Sequence, residues 1–201
     1  MRSYWEQRYA EQGRRTVGHC SFSEDEFARR SDIALELLRS ILKTVLEGKR
    51  VLDFGCGYGR MAKLLVEFCP FVVGVDIVEW AIEEARQHVP EAKFFALSDG
   101  RSLPFPDGFF GGVLSWTVLQ HIEPENVTDV VVELGRVIEP GGVVVLYENI
   151  STWHEDKSHI WFRSAEDYEK LFRGYRATEK HVVSRADDTD EDHAIMVMVK
   201  E

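Results

Sequence analysis

Val51-Leu52-Asp53-Phe54-Gly55-Cys56-Gly57-Tyr58-Gly59 is the stretch on which the fold turns. An apolar run leads straight into three glycines at alternate positions, and a helical pattern follows. Glycine allows positive φ and lets backbone amides approach a ligand with no Cβ in the way. A tight strand-to-helix connection would explain glycine by geometry alone, but a second feature points to a ligand. The next apolar run, Val72-Val73-Gly74-Val75, ends in Asp76, about twenty residues past the glycines, where a carboxylate can accept both hydroxyls of a ribose. Loop plus acid implies a nucleoside. The glycines read G-x-G-x-G and not the G-x-G-x-x-G of a dinucleotide site, and Asp53, two residues before the first of them, is an awkward neighbour for a pyrophosphate. A cationic nucleoside fits better, and S-adenosylmethionine, with its ammonium and sulfonium, is one.

Working outward, short apolar runs at 50–54, 71–75, 93–97, 111–116 and 142–148 alternate with helical stretches at 59–68, 78–88 and 126–138. Pro140-Gly141-Gly142 closes the last of these, because it cannot continue a helix. Strand, helix, strand, repeated, predicts an α/β fold, a doubly wound and mostly parallel sheet with helices on both faces. Upstream, Ser23 with Glu26 has the form of a capping box, and apolar residues from Phe27 to Val45 recur at helical spacing, which predicts a helix over about 24–46. Trp5 and Tyr9, four apart, suggest a shorter helix before it. Beyond 150 come a loop, a helix near 164–173, and two β-rich runs at 178–184 and 194–200 joined by an acidic connector, the pattern of a hairpin. No linker divides the chain, so the expectation is one domain over 1–201: an N-terminal helical cap (1–47), a cofactor-binding core (48–150) and an acceptor-side region (151–201).

These residues resemble the class I S-adenosylmethionine-dependent methyltransferases of the small-molecule type, close to the ubiquinone/menaquinone-biosynthesis-like group. The resemblance covers roughly 48–150. VLDFGCGYG is similar to the family's first motif, VVGVD to its second, and LSDGRSLPFPDGFF at 97–110 to its third. GVLSWTVLQHI at 112–122 and IEPGGVVVLYEN at 138–149 are similar to its fourth and fifth strands. The family's fold is Rossmann-like, seven-stranded, with the last strand antiparallel. The resemblance implies that Asp53, Gly55, Cys56 and Gly57 face the methionine portion of S-adenosyl-L-methionine. It implies Asp76 and Ile77 at the ribose, Asp99 near the adenine amine with Gly100 beside it, and Ser115 and Trp116 along the cofactor; S-adenosyl-L-homocysteine would be the product. One departure is Phe110-Gly111-Gly112, where relatives commonly carry Phe-Asp, an acid with a largely structural role.

Displacement at a sulfonium methyl needs chiefly an aligned acceptor in a site screened from water, so a catalytic base is optional. His121, after the fourth strand, is the candidate base, with packing or hydrogen bonding as its competing explanation. Glu148 and Asn149 end the fifth strand at the sheet's carboxyl edge, where they either touch the acceptor or cap the strand. His154 and Arg163 follow among aromatic residues; a guanidinium there suits a carboxylate or phosphate, and ordinary packing of the last helix is the alternative. Trp116 could offer a ring face to the sulfonium or simply pack. Tyr4, Trp5, Tyr9 and Phe22 could form a lid or a non-contacting packed helix. The connector Asp187-Asp188-Thr189-Asp190-Glu191-Asp192 lacks calcium-loop spacing and reads as a solvated tip.

Composition narrows the partners. With 201 residues, 44% of them hydrophobic and spread along the whole length, the chain can fill one core. A formal charge of -11, with no basic stripe, opposes nucleic acid as a partner. No apolar run reaches the roughly 20 residues of a membrane span, and no signal-peptide centre is visible near the N-terminus. Cys20, Cys56 and Cys69 match neither a disulfide framework nor a zinc spacing, so no metal and a cytoplasmic setting are expected. A nicotinamide-dependent oxidoreductase is the rival with the same sheet, but no Tyr-x-x-x-Lys or similar hydride-transfer pair is evident. A non-catalytic binding or scaffolding protein is the rival from another class. The acceptor, the atom methylated and the oligomeric state are not written in the sequence.

Overall fold

The structure, a computed structural model, describes residues 2–13, 38–151, 159–184 and 192–201. His154, the proposed cap at Ser23, Phe22, Cys20 and residues 187–191 of the acidic connector lie outside the described residues. Seven strands form one sheet: β1 (Arg50–Phe54), β2 (Phe71–Asp76), β3 (Lys93–Ala96), β4 (Phe110–Trp116), β5 (Ile138–Asn149), β6 (Tyr175–Ser184) and β7 (Asp192–Lys200). Their order across the sheet is β3-β2-β1-β4-β5-β7-β6, and β7 runs antiparallel to both β5 and β6. The expected alternation, the terminal hairpin and the single reversed strand are all present. β7 slots between β5 and β6, so the hairpin completes the sheet with its second strand inside.

Helices cover both faces of this sheet. Residues 38–46 are helical (α2), with Leu38, Leu42 and Leu46 buried at four-residue spacing, and together with α3 (Arg60–Leu65) and α4 (Glu79–His88) they cover one face. α5 (Pro124–Val137) and α6 (Ala165–Leu171) cover the other, where Val130, Leu134 and Val137 meet Leu52, Val113 and Val144. α5 begins on Pro124, whose missing N–H costs nothing in a first turn. A reciprocal Ser164–Asp167 capping box starts α6. The strand alternation places Val51 and Asp53 toward α2 and α3 and Leu52 and Phe54 toward α5.

Two details differ from the sequence expectation. α5 stops at Val137, and β5 starts at once on Ile138; Pro140-Gly141-Gly142 lies inside the strand, where the pairing shifts register between Phe110↔Ile138 and Gly112↔Val143. At Gly111, where relatives commonly carry the acid, an added Cβ would stand 3.0 Å from the Glu139 carboxylate. An acidic group is thus supplied there from β5.

Candidate functional site

Because β2 lies on one side of β1 and β4 on the other, the connections leaving β1 and β4 diverge and open a crevice at the carboxyl edge. A cleft of about 670 Å³ occupies it, within the size range of small-molecule sites. Its wall at β1 is the glycine loop. Gly55 has φ +74°, and a Cβ there would come within 2.3 Å of Val118, so the loop and the turn after β4 approach as closely as backbone allows. Asp76 ties the loop down: its Oδ2 accepts from Gly57 N–H at 2.9 Å and its Oδ1 from Val78 N–H at 2.9 Å. Burial raises the Asp76 pKa, and these backbone bonds oppose the rise.

Asp53 is 1% exposed, and its Oδ2 has no hydrogen-bond partner among the described residues. Burial pushes its carboxyl up to about 7; the Ala62 N–H pulls it down, the Asp76 charge adds to the rise, and Arg60 opposes it. The Tyr9 hydroxyl, from α1 (Arg2–Gln12), is also buried without a partner. Its pKa is raised by burial and then by Asp76. Two unsatisfied polar atoms facing one cleft mark a place prepared for a polar ligand, since each costs about 1–3 kcal/mol if left unpaired. Arg60 follows the last glycine and lines the same region, its guanidinium 5.0 Å from the Trp116 ring. Burial lowers the Arg60 pKa, against the charges of Tyr58, Tyr147 and Asp53. Cys56 is buried in the loop, and burial with the Asp53 and Asp76 charges raises its thiol pKa, so it remains a protonated, unreactive group.

Farther along, Ile77, Leu97, Asp99 and Gly100 line the cleft. Asp99 Oδ1 accepts from the N–H groups of Arg101 and Ser102, which shapes the turn around Gly100. On the other side the turn after β4 is built on Glu148. This carboxylate is fully buried and accepts from Val118, Leu119 and Gln120 N–H and from Ser115 Oγ, at 3.0–3.2 Å. Burial pushes its carboxyl up to about 7, and the backbone bonds pull it back. Thr117, a β-branched residue at φ +53°, is the strained link in this turn, held by its N–H to Tyr147 O at 2.7 Å. Arg163 donates to the carbonyls of Leu119, Trp161 and Ile122.

His121 lines the cleft with both ring nitrogens engaged. Its Nδ1 is 2.7 Å from His159 O, a pure acceptor, so Nδ1 carries the proton; Nε2 lies 3.3 Å from the Gln120 amide nitrogen and accepts from it. Burial pushes the imidazole down to about 4. α1 spans the cleft: Arg2 donates to Ile77 O, Trp5 meets His121 edge-on at 4.7 Å, and Tyr4 stacks on His159 at 4.9 Å.

Of the residues expected at the site, Asp53, Gly55, Cys56, Asp76, Ile77, Asp99, Gly100, Trp116, His121 and Asn149 line this one cleft. Gly57, Ser115, Glu148 and Arg163 are not part of its lining. Gly57 and Ser115 spend their donors on Asp76 and Glu148. Glu148 and Arg163 spend their charge on backbone groups of the turn, which replaces acceptor contact with a structural task. The Trp116 ring has the Arg60 guanidinium 5.0 Å from its centroid and the Tyr147 ring 4.4 Å away. The sequence reading missed Arg60, Arg8 and His193. Arg60 was within reach, as the residue after Gly59 in the loop; His193 enters through the pairing of β7 with β5, for which no local signal exists.

The family model described as "Methyltransferase domain" matches residues 52–146, which run from β1 to β5 and carry most of this cleft. Over residues 52–146, a little under half of the chain, the sequence is that of a methyltransferase domain. Over 118 residues the chain is 35% identical to the 2-methyl-6-phytyl-1,4-hydroquinone methyltransferase of Synechocystis, covering 57% of this chain and 35% of that protein. It is 32% identical over 114 residues to a sterol 24-C-methyltransferase of Aspergillus fumigatus, covering 54% of this chain and 30% of that one. The chain thus spans about a third of the length of these relatives. The crystal structure of a protein from Pyrococcus horikoshii shares the fold, with TM-score 0.74, 23% identity, and 97% and 99% of the two chains covered. In the methyltransferase domain the matched segment holds the glycine loop, Asp76 and Asp99. α1, His159 and His193 lie outside it. Among the described residues no cluster of metal-ligating side chains occurs, and no helix is long and apolar enough to cross a membrane.

Proposed function

We propose that this protein binds S-adenosylmethionine and transfers its methyl group to a small-molecule acceptor. The observation that carries the reading is the buried Asp53 carboxylate, its Oδ2 unpartnered, beside the glycine loop and in one cleft with Asp76 and Asp99. Asp53 and Arg60 present opposite charges to the amino-acid end of the cofactor, whose ammonium and carboxylate they complement. Asp76 takes the ribose hydroxyls, Ile77 and Leu97 flank the adenine, and Asp99 sits toward its amine. Bound here, S-adenosylmethionine supplies a methyl carbon made electrophilic by the sulfonium. The protein's part is to align the acceptor and keep water out, and α1, with Trp5 and Tyr9 in the cleft lining, serves the second purpose. His121, neutral and hydrogen-bonded on both nitrogens, orients the turn after β4; proton removal by it is the less favoured role.

The relatives named for a hydroquinone and a sterol act on small organic molecules, and the same class is the natural acceptor here. We read the whole chain as one domain working in the cytoplasm, without nucleic acid or membrane as partner; the buried, unpaired Cys56 and Cys69 are consistent with that. The test is calorimetric titration with S-adenosylmethionine and S-adenosylhomocysteine, with NADH as control. Saturable binding of both adenosyl compounds and none of NADH is expected. A folded protein that binds neither refutes the proposal.

A further inference from the structure

The cleft is lined by four arginines, Arg2, Arg8, Arg60 and Arg101, and by four carboxylates, Asp53, Asp76, Asp99 and Glu123. Two of these carboxylates also accept from backbone amides, Asp76 from Gly57 and Val78 and Asp99 from Arg101 and Ser102, and all four lie away from the end of β5.

The floor of the cleft away from the adenine side has a different character. Asn149 at the end of β5 and His193 at the start of β7 are register partners, both line the cleft, and they are 1% and 4% exposed. Asn149 Oδ1 accepts from Ser151 N–H at 2.8 Å, which fixes the amide and leaves Nδ2, a pure donor, as its other polar atom. The His193 ring stacks on Tyr147 at 5.1 Å, and Tyr147 stands against Trp116 in turn. The adjacent carboxylate, Glu148, belongs to the opposite face of β5 and is consumed by the turn after β4. Donors therefore line the cleft where β5 ends and β7 begins, and the acid beside them is turned away.

We infer that the acceptor is a small organic anion whose oxyanion is received by Asn149 Nδ2 and His193, where β5 ends and β7 begins. The inference rests on the methyl-transfer reading, because it assigns the part of the cleft that the cofactor leaves to a second reactant. Carboxylate and phenolate share the required chemistry.

The experiment is calorimetry on the protein saturated with S-adenosylhomocysteine, titrated with benzoate, 4-nitrophenolate, benzamide and benzylamine. At least one anion binds about tenfold or more tighter than neutral benzamide, and benzylamine binds weakest. Which anion wins identifies carboxylate or phenolate as the source. Asn149→Asp keeps the acceptor for Ser151 N–H but replaces the donor by a negative charge; it weakens the anion about tenfold and leaves S-adenosylhomocysteine binding unchanged. His193→Phe keeps the ring stack and removes the imidazole donor, with the same direction of effect. Anions no tighter than benzamide, absence of binding by every probe, or an Asn149→Asp protein that binds the anion normally overturns the inference. S-adenosylhomocysteine failing to bind the unaltered protein instead removes the methyl-transfer reading itself.

Discussion

Asp53→Asn changes almost no volume and separates what Asp53 does for folding from what it does for binding. Its carboxyl rises from 3.8 to about 7 on folding, chiefly by burial. A carboxyl whose folded pKa lies above its unfolded value contributes most stability below the unfolded value and loses it as the pH climbs through the folded one. At about 1.36 kcal/mol per pH unit, the rise corresponds to about 4 kcal/mol of stability missing above neutrality. Asparagine cannot ionise, so the variant escapes the loss. The gain of Asp53→Asn over the natural protein should be near zero below about pH 4, about 2 kcal/mol at pH 5, and about 4 kcal/mol at pH 8. Urea unfolding of both proteins across that range measures it. The same substitution removes the charge that the proposed function sets against the cofactor's ammonium, so S-adenosylhomocysteine affinity should fall at least about tenfold at pH 8 while stability rises. A difference in stability that does not vary with pH, or a variant less stable at pH 8, refutes the claim that Asp53 is buried as an uncompensated charge. Unchanged affinity refutes its place in the cofactor site.

Three other outcomes are expected. Gly55→Ala places a Cβ at φ +74° and 2.3 Å from Val118, and should cost about 3 kcal/mol in urea unfolding, with loss of cofactor binding; a wild-type midpoint would contradict the close approach. Glu148→Gln keeps an acceptor at Oε1 for Val118 and Leu119 N–H but turns an amide NH₂ toward the Gln120 N–H, for a loss of about 1–3 kcal/mol; a change under about 0.5 kcal/mol would show that the turn after β4 does not depend on it. His121, pushed down to about 4 by burial, should remain a neutral Nδ1–H imidazole from pH 8 to pH 5 by NMR titration and withdraw stability only as the pH falls from 6.5 toward 4. A midpoint near 6.5 would refute that environment and restore His121 as a base.

The legible half of this protein is the half in which one continuous segment makes both the fold and the site. β1, the glycine loop and α3 follow one another without a break, and Asp76 ends the very next strand, so spacing alone places Gly55, Asp53 and Asp76 around one cleft. The same logic reached Asp99 and the order of strands. It failed where a side chain's task is set by partners far along the chain. Glu148 and Arg163 have the charge of ligand-binding residues, and only the fold reveals that backbone groups of the turn after β4 absorb both. His193 follows an acidic connector and offers no motif; antiparallel pairing sets it beside Asn149, forty-four positions earlier in the chain. The division has a physical cause. A nucleoside can be gripped by backbone amides and two acids that successive β-loop-α units supply locally, whereas the far floor of the cleft is assembled from strand ends that meet only when β7 inserts between β5 and β6. Substitutions at that edge can change what the floor receives without disturbing the loop at β1, which is how one sheet can keep its cofactor grip and take different acceptors.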